Sequence, residues 1–485
     1  MELREKLTKN TGLVFISRIA YKVFSLIFVI YAARILGPEN FGIYALIGTI
    51  TFLFSFFGNF GINTMAVRDI ASNKHNSEEI FNYVLTLKVG LVVLAYPLLI
   101  AAVNLLGYRD DIKYLIYIAG VSTIFSIFSS SFGILYMAFE RFKMPSLIFI
   151  LVSLLSTIAN IAVLHLGFGL KGIIWVSFFG NLFGALISGI WVRIRFFKYR
   201  FAYNRTVYKN MWSLSLPFAI ISFFQQANEY MNILFLSKLP GPIQGEIAIG
   251  YYNPPSTICR SAMMLPESFR QAALPSVSSN TKDLKMIENI INKSTKTLIS
   301  TIILPLLLAT TFFPKEIITI IFGNQYLPSV HVLTILGWAY ALHAFNAPVS
   351  VTLAASKEIK KFIPWAAAVF VLNIILSIPL IIYYSYTGAA LAFLISKLAE
   401  TAIRHHLLKK IWGMNSFNLH ESFRNIVLPA MLIFFVIYVS KLIGAGSLAL
   451  LVVSIVMYTT CILFFKDFRE GISVVINGIY PKIKK

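Results

Sequence analysis

Arg18 and Lys22 stand four residues apart, on one face of a helix, inside an otherwise apolar stretch. Lys88 and Arg260 are two more cations set within apolar stretches. An ionised side chain near mid-membrane costs at least about 2.5–3.5 kcal/mol, so such groups turn towards a partner or a cavity. Guanidinium groups bind phosphate through a bidentate fork and ammonium groups bind it as point charges, so cations lining a cavity suit a phosphorylated headgroup. Plainer roles stand beside that one. Arg18 is near enough to the cytoplasmic interface to snorkel, Lys22 is too deep to do so easily, and Lys88 fits a cavity or a structural role equally. Arg270, at the end of the stretch that holds Arg260, belongs with the loop charges.

The acidic side is sparse. All nine carboxylates from Glu2 to Glu140 fall at the ends of apolar stretches or between them. Further on, Glu229 lies inside such a stretch beside Gln225, Gln226, Asn228 and Asn232, the most polar patch of its kind in the chain. Two roles are open to Glu229: a structural pair with Arg260, or a part in Na+ or H+ coupling. Lys397 and Glu400, three residues apart, are read as neutralising each other, with coupling as the alternative. His343 is read as a hydrogen-bonded packing residue. No G-x-x-x-x-G-K-[S/T] phosphate loop and no His/Cys cluster of metal spacing is found, so neither bound ATP, a metal nor another cofactor is expected. Cys259 and Cys461 both lie in apolar segments and imply no disulfide framework.

The elements that must position these residues are membrane-spanning helices. The 485 residues are 58% hydrophobic and 13% charged, with a mean hydropathy of +0.76. A soluble chain carries about a quarter charged residues. The apolar residues fall in long blocks of about 20, the length at which a helix crosses the hydrocarbon core with its backbone satisfied. The alternating pattern of an outer-membrane barrel is absent. The blocks parse into 14 spans, at 10–36, 41–65, 81–106, 112–138, 144–166, 171–197, 210–237, 247–272, 290–313, 327–354, 360–384, 387–410, 423–443 and 446–466. Span 1 is interrupted by Arg18 and Lys22, which a cleavable signal would not be, and is expected to be retained. Prolines recur within the spans, at Pro97, Pro217, Pro266, Pro305, Pro348, Pro364, Pro379 and Pro429, and predict bends.

The net charge of +22 would suit nucleic acid, but the basic residues sit in short clusters between apolar blocks, as topology determinants do. With the N-terminus inside, roughly 30 of the 42 Lys and Arg fall in cytoplasmic segments, which predicts that both termini are cytoplasmic; the expected location is the plasma membrane. A repeat is also visible. Leu36-Gly-Pro-Glu-Asn-Phe-Gly-Ile-Tyr44 before span 2 is echoed by Leu239-Pro-Gly-Pro and Ile249-Gly-Tyr-Tyr252 before span 8, and Gly169-Leu-Lys-Gly-Ile-Ile174 by Thr387-Gly-Ala-Ala-Leu391. Both pairs are six spans apart, so the copies run parallel. The expected fold is therefore all-α and polytopic, with two six-helix lobes in parallel repeat (1–205 and 206–412) and a C-terminal helix pair with a basic tail (413–485).

Five stretches in order carry a family resemblance: Tyr31-Ala-Ala-Arg-Ile-Leu-Gly-Pro-Glu-Asn-Phe-Gly-Ile-Tyr-Ala-Leu46, Val67-Arg-Asp-Ile-Ala71, Leu265-Pro266 with Ala273-Leu-Pro-Ser276, Ile321-Phe-Gly-Asn-Gln-Tyr326 and Gly388-Ala-Ala-Leu-Ala392. On these the chain resembles the polysaccharide exporters and O-antigen-type flippases of the multidrug/oligosaccharidyl-lipid/polysaccharide (MOP) flippase superfamily. The resemblance implies no enzyme but a transporter working by alternating access, ion-coupled or driven by potential. It implies a polyprenyl-(pyro)phosphate-linked oligosaccharide as substrate, with membrane lipids and glycan-assembly proteins as the partners. It also implies arginines at work in helices 1 and 8. Two alternatives stand against it. A multidrug/cation antiporter of the same superfamily would be expected to hold a carboxylate in its N-terminal helices, where this chain has Arg18, Lys22 and Lys88. A glycan polymerase or transferase would need a sizeable extracytoplasmic loop, and the loops here are short.

Overall fold

The computed structural model describes residues 2–139, 143–239, 241, 243–279, 283–355, 362–413, 428–442, 450, 452–454 and 456–458. The side chain of Arg18, Cys461, the start of span 13, most of span 14 and the basic tail lie outside the described residues. Among the described residues the secondary structure is helix joined by turns and short loops, with no strand. The chain divides into two compact units, Met1–Gly250 and Tyr251–Lys485.

The first unit contains α1 (Glu2–Asn59), α2 (Ile62–Ser72), α3 (Ser77–Leu105), α4 (Asp110–Ala138), α5 (Lys143–His165), α6 (Gly169–Arg195) and α7 (Arg205–Lys238). Helix α1 holds two spans. Gly37 leaves helical geometry at φ 70° and ψ 173°, and Pro38, whose missing N–H costs nothing in a first turn, opens the second rod. Helix α4 packs on α6, α1 on α5 and α4, and α7 on α1, α2 and α3. Lipid is as apolar as leucine, so close packing and polar contacts hold these helices together rather than burial from water. The loop after α6 is pinned to α3, Arg200 N donating to Asn82 Oδ1 at 2.9 Å and Ala202 N to Thr86 Oγ1 at 3.0 Å.

The next helices are α8 (Gly245–Ala262), which runs across the boundary between the units, α9 (Met264–Ser279), α10 (Leu284–Leu298), α11 (Leu304–Phe312), α12 (Pro314–Ile321), α13 (Val330–Phe345), α14 (Ala347–Ala355), α15 (Ile363–Trp412) and α16 (Leu428–Leu442). Helix α15 again holds two spans, divided at Ser385, where φ is 51° and ψ −128°. Three expected rods are interrupted. Span 8 breaks at Met263 between α8 and α9, span 9 passes through a π-helical turn at Ile299–Ile303, and span 10 breaks at Asn346 between α13 and α14. Pro266 and Pro348 each stand in the first turn of the helix that follows a break, where the absent N–H has no intrahelical acceptor to lose, and Pro305 comes directly after the π-helical turn in a run that is helical from Leu284 to Phe312.

Among the described residues seven helices are by themselves long and apolar enough to cross a membrane, and eight if the bent pair around Asn346 is one span. Two of the seven, Ile19–Asn59 and Ile363–Ile411, are the divided helices and so carry two spans each. This is an all-α, multi-pass membrane protein.

Candidate functional site

Span 2 does not run straight through. Helix α1 ends at Asn59, Phe60 and Gly61 turn left-handed at φ 37° and φ 71°, and α2 resumes at Ile62. A left-handed non-glycine residue costs about 1–2 kcal/mol. The Phe60 ring is held by stacking on Trp212 of α7, at 4.6 Å between centroids and 8° between planes.

Lys88 of α3 occupies this break. Its side chain is wholly buried, and Nζ donates to Asn59 Oδ1 at 3.0 Å, Asn63 Oδ1 at 2.5 Å and Ser131 Oγ at 2.8 Å. The acceptors come from the last residue of α1, the first turn of α2 and the C-terminal third of α4, so one ammonium joins four helices. The sequence placed Lys88 among the cations open to a substrate. The structure surrounds it with protein oxygens and uses all three of its donors inside the bundle.

Lys22 is half-buried on α1, and Ser17, just over one helical turn before it, is buried. The i, i+4 spacing puts the Arg18 backbone on the same face. Arg260 is half-buried in the last turn of α8, where a cation meets the negative end of the helix dipole. Its Nη2 donates to Ser256 Oγ at 2.9 Å, and that oxygen lies 3.4 Å from the Tyr340 hydroxyl of α13. Arg270 is neutralised by a two-pronged contact with Glu267 at 2.5 and 2.9 Å. Glu229 is half-buried on α7 between the buried Asn228 and Asn232.

In the second unit Lys397 and Glu400 form a buried pair, Nζ to Oε2 at 2.8 Å. Arg404, one turn further on, grips the other oxygen with Nε at 2.8 Å and Nη2 at 2.5 Å, and its Nη1 donates to Ser350 Oγ at 2.7 Å. Lys397 Nζ also lies 3.4 Å from His343 Nδ1. The cluster holds two fixed cations and one anion.

Residues 7–281, more than half of the chain, match a family described as polysaccharide biosynthesis protein. The chain belongs to that family. Among curated relatives it is 24% identical over 233 residues to a probable low-salt glycan biosynthesis flippase, Agl15, of Haloferax volcanii, a match spanning 46% of this chain and 48% of that one. It is 22% identical to a putative O-antigen transporter of Shigella flexneri, over 63% of this chain and 74% of that one. It is 20% identical to the capsular polysaccharide biosynthesis protein CapF of Staphylococcus aureus, over 84% of this chain and all of that one. Among solved structures it superposes on the lipid II flippase MurJ with a TM-score of 0.74 at 20% identity, covering 95% of this chain and 99% of that one. A multidrug resistance MATE transporter in an inward-facing conformation gives 0.64 at 15% identity, covering 81% and 94%. The fold of this chain is thus that of these two transporters. The expectation of a transporter rather than an enzyme agrees with these relatives.

Three participants were missed in the sequence: Asn63, Ser131 and Arg404. The signals were present, since Asn59 and Asn63 share a face at i, i+4, and Arg404 follows Glu400 at i+4. Ser131 left none, because nothing local marks a serine of α4 as the ligand of a lysine on α3.

Proposed function

We propose that this protein flips a polyprenyl-(pyro)phosphate-linked oligosaccharide from the cytoplasmic to the outer leaflet by alternating access, driven by an ion gradient or the membrane potential. The observation that carries the reading is the sign of the charge inside α1–α6. Among the described residues of α1–α6, Glu39, Glu78, Glu79, Asp110 and Asp111 are exposed at helix ends or beside a helix break and Asp69, near the end of α2, is paired with Arg68, whereas Lys22 and Lys88 lie inside the rods; the carboxylate inside a rod of this unit, Glu229, is on α7. A cationic interior attracts a phosphate and repels a cationic drug. Membership of the polysaccharide biosynthesis family and the glycan-related names of its relatives support the same substrate class.

Arg18, Lys22 and Arg260 are the residues assigned to the phosphate. Lys88 serves them indirectly by fixing the break in span 2. Residues 1–205 and 206–412 act as the two moving lobes, both termini are cytoplasmic in the plasma membrane, and Glu229 is the residue through which Na+ or H+ would be coupled or to which Arg260 would be paired. Purified protein in vesicles should move a labelled polyprenyl-linked oligosaccharide between leaflets, and Arg260→Ala or Lys22→Ala should slow it. Wild-type rates in both variants would overturn the cationic mechanism. Export of a cationic dye with no movement of the lipid would place the protein with the drug antiporters instead.

A further inference from the structure

The oxygens around Lys88 have their polarity fixed by what they do on their other side. Asn59 Nδ2 donates to Ser55 O at 3.2 Å, which turns Asn59 Oδ1 towards the lysine. Asn63 Nδ2 faces Asn59 Oδ1 at 3.5 Å, leaving Asn63 Oδ1 for the lysine. The Ser131 hydroxyl gives its proton to Ile127 O at 2.7 Å, so its lone pairs face Nζ. Three neutral oxygens thus converge on one point between 2.5 and 3.0 Å away. Among the described residues no carboxylate forms an ion pair with Lys88. The end of α1 brings a partial negative charge and the start of α2 the opposite sign, so the helix dipoles largely cancel and the side-chain oxygens decide the site.

Oxygen ligands at a broken helix are the arrangement by which transporters hold monovalent ions. We propose that Asn59, Asn63 and Ser131 form a monovalent-cation site in the first unit that the chain fills with its own ammonium, so that removing the lysine opens the site to a small free cation. The bound ion is then tethered and cannot be released to either side. This unit keeps the geometry of span 2 whatever ions surround it, and any ion coupling is carried by groups other than these.

The test is chemical rescue of full-length Lys88→Ala, which lacks the atoms that n-propylammonium would restore. Thermal unfolding is followed in detergent in choline, ammonium, n-propylammonium and tetramethylammonium chloride at equal strength. Wild type should unfold at one midpoint in all four. The variant should unfold at a lower midpoint in choline and regain at least half of the shift in n-propylammonium, part of it in ammonium and none in tetramethylammonium, which is too broad for the space. Lys88→Met fills the space without a charge and should be lowered without rescue. Equal rescue of Lys88→Met, no rescue of Lys88→Ala, or failure to recover Lys88→Ala folded in n-propylammonium would each overturn the proposal. The readout does not involve transport, so it stands or falls apart from the proposed substrate.

Discussion

Gly42 of α1 and Gly250 of α8 cross backbone to backbone. A methyl group on Gly42 would lie 1.8 Å from the Glu246 carbonyl oxygen and 2.9 Å from Gly250 N, and one on Gly250 would lie 1.9 Å from the Pro38 carbonyl oxygen. These are the two glycines that the sequence repeat sets in register, Phe-Gly-Ile-Tyr44 against Ile-Gly-Tyr-Tyr252. The obstructing atoms are backbone and no rotamer change can clear them. Gly42→Ala and Gly250→Ala are each expected to destabilise by about 1–3 kcal/mol or more through overpacking. Lower yields of monodisperse protein and earlier thermal unfolding would register it. Gly48→Ala, where a methyl meets open space, should leave both unchanged.

The Lys397–Glu400–Arg404 cluster separates the cost of breaking a buried pair from the cost of having one. Glu400→Ala leaves two buried cations facing each other and is expected to cost about 3–5 kcal/mol. Replacing the set with Lys397→Met, Glu400→Leu and Arg404→Met should be much milder, because apolar groups of similar volume need no desolvation. Unfolding midpoints of the single and triple variants check this. A triple variant as unstable as Glu400→Ala would show that the cluster contributes net stability.

Arg260 tests what kind of cation the substrate needs. If its guanidinium grips phosphate through paired N–H donors, Arg260→Lys keeps the charge but loses the fork. A charge-assisted contact is worth about 1.5–3 kcal/mol, so Arg260→Ala should slow flipping about 10- to 100-fold, with Arg260→Lys falling between it and wild type. Flipping rates in vesicles decide it. Arg270→Ala, which breaks only an exposed pair with Glu267, should change little.

The division of α1 at Gly37 and the start of its second rod at Pro38 were legible, because glycine followed by proline stops one helix and starts another by local geometry alone. The break at Phe60–Gly61 was not. Gly61 was visible, but the left-handed Phe60 is held by Trp212, more than 150 residues away. The site divides in the same way. The sign and depth of Lys88, Arg260, Lys397 and Glu400 could be read from the apolar blocks around them. Their partners on other helices could not, since a hydrogen bond from α3 to α4 leaves no period in the sequence. Lys88 shows the consequence: its residue type fitted a phosphate-binding cation, and only its three acceptors show that its donors are already used.

Asp111 and Phe201 offer a test of the orientation. Asp111 lies in the first turn of α4 and is exposed, and its contact with Arg109 at 3.4 Å lies between half-exposed side chains and contributes little. Phe201 is 82% exposed in the loop after α6, among Arg193, Arg195, Lys198, Arg200, Arg205 and Lys209. Helices α4, α5 and α6 lie between the two positions, and three crossings put them on opposite sides. The basic cluster assigns Phe201 to the cytoplasm. In a background with Cys259 and Cys461 replaced by Ser, a cysteine at Asp111 should react with an impermeant maleimide added to intact cells, and one at Phe201 only after lysis. Reaction of Phe201→Cys alone in intact cells would invert the topology. Reaction of both, or of neither, would mean that one of the three helices does not cross.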